Sequence, residues 1–136
     1  MSLKMNREKI KKLCQKHKIK LLILHGSYAT GTATSQSDMD IGILSSEKVD
    51  SDKYFDILKD LGGVFGDNYD PLFLNGAEPM ISYRVALLGK PLYEEKKGLF
   101  ANFRIQSIAR YMDSKKFRTL EKLYIKRAIE RGVSRD

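Results

Sequence analysis

The chain has 136 residues, 42% of them hydrophobic, and 25 Lys and Arg against 17 Asp and Glu give it a formal net charge of +8 at pH 7. That is the size of one ordinary domain with enough apolar content for a core, which excludes a compositionally disordered chain. No apolar run approaches the ~20 residues of a membrane-spanning helix, the Lys-rich start lacks the apolar stretch of a signal peptide, and the single cysteine, Cys14, excludes an internal disulfide, so a reducing cytoplasm is the expected compartment.

The elements are expected in this order. Residues 5–18 form an amphipathic helix, with Ile10, Leu13, Cys14 and His17 on one face and lysines on the other. Whether the chain starts at Met1 or Met5 stays open. Ile19 to Leu24 is a short apolar run of strand length, ended by His25-Gly26-Ser27. Residues 28–37, rich in Thr, Ser, Gly and Ala, suit a short helix and a loop. Asp38 to Leu44 alternates, with Met39, Ile41 and Ile43 on one side and Asp38, Asp40 and Gly42 on the other, the period of a strand. Ser51 to Leu61 reads as a helix with Ser51 as its cap and Gly62-Gly63 as its stop. Tyr69 to Leu74 is a third strand, although Pro71 interrupts its ladder. Pro79 opens a helix to about Leu88, closed by Gly89. From about Lys96 to Arg131 the chain is helical, with one apolar stripe at Phe103, Ile108, Tyr111 and Met112 and a second at Phe117, Leu120, Tyr124 and Ala128; Asp113-Ser114 leaves a break open. The expected fold is a single α/β (α+β) domain over residues 1–136, a small mixed β-sheet with flanking helices packed mainly on one face.

Two pieces of chemistry stand with ten residues between them. On a strand, Asp38 and Asp40 project to the same side, with Cα atoms ~6.5–7 Å apart. Carboxylates so placed repel unless a cation sits between them, and Mg²⁺ favours one or two carboxylates together with phosphate oxygens. Asp is also disfavoured in strands, although an Asp-x-Asp alone is compatible with a solvated face. Upstream, Gly26 lets the backbone approach a ligand closely. Ser27 can cap a short helix whose free N–H groups suit phosphate, and its hydroxyl can add a hydrogen bond. Alone, that pair is also compatible with a plain strand-to-helix turn.

Together the two elements, Gly-Ser after an apolar strand and then Ser37-Asp38-Met39-Asp40-Ile41, resemble the signature of the DNA polymerase β-like nucleotidyltransferases, in particular the minimal nucleotidyltransferases (MNT). The core similarity covers residues 21–44, and a looser one runs from about 69 to 93. The resemblance implies the polymerase β-like fold. It implies that Asp38 and Asp40 bind Mg²⁺, that Gly26 and Ser27 contact the phosphates of a nucleoside triphosphate such as ATP, and that a third carboxylate on a neighbouring strand completes the site. Asp70, at the start of Pro71-Leu72-Phe73-Leu74, is the candidate, with Asp67 the fallback. The implied reaction is in-line attack on the α-phosphorus with release of pyrophosphate. One position departs from the pattern: Thr30 stands where the family commonly has Arg.

Other residues carry weaker signals. His25 reads as a strand-end packing residue, Cys14 and His17 as core, and Arg84 and Lys90 as cations within reach of phosphate. The basic charge is richest from Lys4 to Lys20 and from Lys115 to Arg135, and fits either a phosphate-bearing ligand or a solvated surface. Three functions compete. The first is an AMP-transferring enzyme with a protein acceptor, for the resemblance implies an antitoxin beside a HEPN-type ribonuclease toxin. The second is a module that inhibits its partner by binding alone. The third, a nucleic-acid binder, ranks last because no recognised nucleic-acid motif appears.

Overall fold

β1 (Ile19–His25) is the sheet's inner axis: its apolar run is buried on both faces, and a strand so built needs cover on both sides. The computed structural model describes residues 6–132. β2 (Met39–Ser45) and β4 (Lys90–Glu94) flank β1, each antiparallel to it, and β3 (Tyr69–Phe73) runs parallel to β2 at the outer edge, giving the order β3-β2-β1-β4. The mixed sheet with flanking helices is the expected fold class. The start at Met1 or Met5 and the outer ends of the basic stretches, Lys4 and Arg135, lie outside the described residues.

The expectation that helices pack mainly on one face is corrected. α1 (Arg7–Lys16), the short α2 (Ser27–Thr30) and α3 (Ser51–Phe65) cover one face, where Ile10, Leu13 and Cys14 meet Leu22, Leu24, Ile41, Ile43, Ile57 and Leu61. α4 (Pro79–Leu88) and α5 (Leu99–Glu130) cover the other, where Val85 and Phe100 meet Leu21, Ile23 and Leu74. Consecutive β1 residues thus enter opposite cores. A continuous apolar run, in contrast to the alternating one at β2, is the physical sign of a doubly covered strand.

Three boundaries also change. α3 is capped by Asp50, whose side chain accepts from the Lys53 N–H (2.9 Å), and runs through Gly62-Gly63 to end at Gly66, where φ is +81°. β4 was not expected. Its Pro91 fits because β4 is an edge strand, and Pro71 is tolerated in β3 for the same reason. α5 is unbroken through Asp113-Ser114. Its first stripe packs at Phe103, Ile108 and Tyr111, whereas Phe117, Leu120 and Tyr124 remain 67%, 64% and 75% exposed.

Candidate active site

Register assembles the site. His25, the last residue of β1, stands opposite Asp40, and Asp40 stands beside Asp70 across the parallel β2–β3 pair. Directly opposed residues share a face, so His25, Asp40 and Asp70 form a row at one end of the sheet. The row lies on the α4 side, because Gly42, two residues on from Asp40, faces Val85 and Leu74. Asp38 is the residue immediately before β2, whose first residue Met39 is anchored by its N–H to the Asn68 carbonyl (3.0 Å). Asp67, the fallback, is exposed in the loop before β3 and outside the row.

Gly26 closes the row. Its φ of +69° is unfavourable for any side chain, and a Cβ there would collide with Oδ2 of Asp40. Only glycine lets the strand-to-helix turn lie against this carboxylate. Gly26 is also the N-cap of α2, so Ser27 is the first helical residue and not the cap. The Ala29 and Thr30 N–H groups donate to the Gly26 carbonyl, which leaves the amides at the very start of the helix without an intrahelical partner. Thr30 hydrogen-bonds within the turn, Oγ1 donating to the Ser27 carbonyl (3.3 Å) and sharing a bond with Thr32 Oγ1 (3.0 Å). It supports the loop and contributes no charge. The connection to Asp38 is held by Ser37, whose Oγ accepts from the Thr34 N–H (2.9 Å) and whose carbonyl accepts from Tyr28 Oη (3.4 Å).

The electrostatics of the row are those of a site built for a positive guest. Burial raises the Asp40 carboxyl pKa, and Asp70 and Asp38 push it further up, while His25 opposes them. Burial lowers the His25 pKa against the pull of Asp40 and Asp70. His25 packs at the end of β1 beside the carboxylates, and its Nε2 is buried without a hydrogen-bond partner among the described residues. No three His, Cys, Asp or Glu side chains among the described residues are drawn together tightly enough to cage a metal ion. What is present fits a hard cation that takes one or two carboxylates and completes its sphere from phosphate and water, the habit of Mg²⁺.

The other candidates sit elsewhere. Cys14 is fully buried and its thiol is pushed up to about 12 by that burial, so it is inert core. His17 pairs through Nε2 with Asp60 (2.6 Å), which also takes Lys16 (3.0 Å), joining α1 to α3. Lys90 stands opposite Leu24, whose side chain belongs to the α1–α3 core, so it leaves the sheet on the face away from Asp40. Arg84 lies on α4, on the same face as the acidic row.

Residues 8–98 match the family described as Polymerase beta, Nucleotidyltransferase. The chain is 29% identical over 111 residues to a protein of Shewanella oneidensis named protein adenylyltransferase MntA, covering 79% of this chain and 78% of that one. Among solved structures, it resembles one described as a toxin-antitoxin with AMP-PNP, with a TM-score of 0.71 and 25% identity over 89% of this chain and 98% of the other. It shares the fold of the MNT antitoxin in a complex with tri-AMPylated Shewanella oneidensis HEPN toxin, with a TM-score of 0.65 and 23% identity over 88% and 95% of the two chains.

Proposed function

The chain belongs to the polymerase β nucleotidyltransferase family, and from that premise we propose that it transfers AMP from ATP to a hydroxyl of a protein partner, the HEPN-type toxin of a toxin–antitoxin pair. The protein adenylyltransferase it resembles and the toxin–antitoxin complex with an ATP analogue support this reading. The observation that carries it is the packing of Gly26 against Asp40, because it brings a phosphate-binding turn onto a carboxylate that burial and its neighbours make costly to ionise alone.

In this reading Asp38 and Asp40 hold Mg²⁺, which when bound offsets the charge of the triphosphate and of the leaving pyrophosphate. The turn at Gly26 presents the amides of the α2 start to phosphate oxygens, and the Ser27 hydroxyl donates a further hydrogen bond. Asp70, at the edge of the row, accepts the proton of the partner's hydroxyl as its oxygen bonds to the α-phosphorus and the bond to pyrophosphate breaks. His25, held neutral by burial, floors the site without adding charge.

The partner is held by α5. The family match ends at residue 98, and α5 begins at Leu99. The distal half of α5 keeps Phe117, Leu120 and Tyr124 exposed among Lys115, Lys116, Arg118 and Lys122, the aromatic and cationic make-up of an interface. A shallow groove there is lined by Met112, Lys115, Lys116, Thr119 and Leu120. Among the described residues no helix is long and apolar enough to cross a membrane, and the cytoplasm remains the compartment we propose.

Calorimetry tests the nucleotide half of the proposal. Mg²⁺-dependent ATP binding should be measurable, and largely lost in Asp40→Asn, which keeps the shape and removes the charge. Undiminished ATP binding in the Asp38→Asn/Asp40→Asn double variant overturns the site.

A further inference from the structure

We infer that Ser37 is a positioning residue for the metal site: its hydroxyl staples the loop that carries Asp38 and so presets that carboxylate for the ion. The inference rests on the nucleotidyltransferase reading, in which Asp38 and Asp40 hold Mg²⁺.

The two carboxylates are supported in different ways. Asp40 lies within β2, in register between His25 and Asp70 and against the turn at Gly26. Asp38 is exposed, precedes the strand, and its side chain makes no hydrogen bond among the described residues. It stands near enough to push the Asp40 carboxyl pKa up, so the two charges repel. An exposed acidic residue on a free loop would turn away from such a neighbour, and an incoming ion would have to order it again at an entropic cost.

The backbone on either side of Asp38 is held instead. On the strand side, the Met39 N–H donates to the Asn68 carbonyl (3.0 Å) and the Met39 side chain packs against the α1–α3 core. On the loop side, every polar group of Ser37 is engaged. Its Oγ accepts from the Thr34 N–H (2.9 Å) and shares a bond with Thr34 Oγ1 (3.2 Å). Its N–H donates to the Thr34 carbonyl (3.1 Å), and its carbonyl accepts from Tyr28 Oη (3.4 Å). Tyr28 packs against the same α1–α3 core, so the loop is tied to the body of the domain as well as to itself. Residues 31–38 carry no helix or strand. A short hydroxyl side chain bonded to the backbone three residues away takes over the ordering that a regular element would supply. Ser37 Oγ is thereby spent within the loop, in contrast to the Ser27 hydroxyl, and it acts on the ion only through Asp38. Preset ligands bind a metal more tightly than ligands that must be gathered.

The test is calorimetry of the full chain with Mg²⁺ and ATP. Ser37→Ala should weaken Mg²⁺–ATP binding roughly twofold to tenfold, the scale of one neutral hydrogen bond. Ser37→Thr keeps the oxygen and should restore most of the affinity. Made in the Asp38→Asn background, Ser37→Ala should cause little further loss, because the group it positions is gone. Wild-type affinity in Ser37→Ala overturns the inference and leaves the nucleotidyltransferase reading intact. An equal further loss in the Asp38→Asn background does the same, since Ser37 would then act on the ligand or the fold directly. If Ser37→Ala fails to fold, Tyr28→Phe removes only the bond to the Ser37 carbonyl and should weaken binding in the same direction, by less; wild-type affinity there overturns the inference. A wild-type protein that binds no Mg²⁺–ATP overturns both readings.

Discussion

Burial raises the Asp40 carboxyl pKa and Asp70 and Asp38 add to the shift, which has a consequence for stability as well as for binding. An acid whose pKa is raised on folding favours the protonated form. Its contribution to stability is fully present below the unfolded pKa and is lost as pH rises through the folded one. In the absence of metal, Asp40→Asn should therefore melt higher than the wild type at neutral pH, and the gap should close as pH falls into the ordinary carboxylate range. Thermal melts in chelator across pH check the sign; a variant that melts lower at neutral pH contradicts it. Mg²⁺ with ATP should raise the melting temperature of the wild type and not that of the variant. Ser27→Ala tests the neighbouring contact. Because Gly26 and not Ser27 caps α2, the substitution should leave stability nearly unchanged and weaken triphosphate binding by ~0.5–3 kcal/mol. A large loss of stability with unchanged affinity would make Ser27 a structural residue only. At this scale the sequence announces residue types and spacings, the Gly-Ser pair and the two aspartates. It does not announce that Gly26 lies on Asp40, or that His25 Nε2 is buried beside the carboxylates, because both depend on which residues face each other across β1 and β2.

Among the elements, strands and helices with one clear apolar pattern were legible. α1, β1, β2 and α4 follow from periodicity and from Pro79 at a helix start. β4 escaped because Lys90-Pro91 looks like a turn, and only the sheet edge explains it. α3 ran past Gly62-Gly63 because Leu61 and its neighbours are held in the core, and packing overrides the helix-weakening glycines. α3 and α5 hold the sharpest contrast. Ile57 is fully buried, and Ile57→Ala should cost ~2–5 kcal/mol. Phe117 and Tyr124 are two-thirds or more exposed, and replacing both by Ser should change stability by no more than ~0.5 kcal/mol per site. Denaturant unfolding measures the two effects side by side. The same α5 double variant should bind the HEPN-type partner more weakly in a pull-down or by calorimetry. Unaltered partner binding would remove α5 from the interface.

The whole molecule is a sheet used on both faces. One face is closed by α1 and α3 into the larger core, and the other is covered by α4 and α5, with Val85 of α4 reaching the residues next to the row. At the end of that face β1, β2 and β3 bring together groups spread from His25 to Asp70. A long basic helix extends beyond the part of the chain that matches the family. A small acidic end and a long basic helix with exposed aromatic residues fit the proposed enzyme whose acceptor is another protein. The direct measurement is intact-mass spectrometry of the HEPN-type partner after incubation with this protein, ATP and Mg²⁺. The account predicts a partner heavier by one or more AMP units, with no such shift when Asp38→Asn replaces the wild type. An unchanged partner mass, under conditions where the two proteins bind each other, contradicts it.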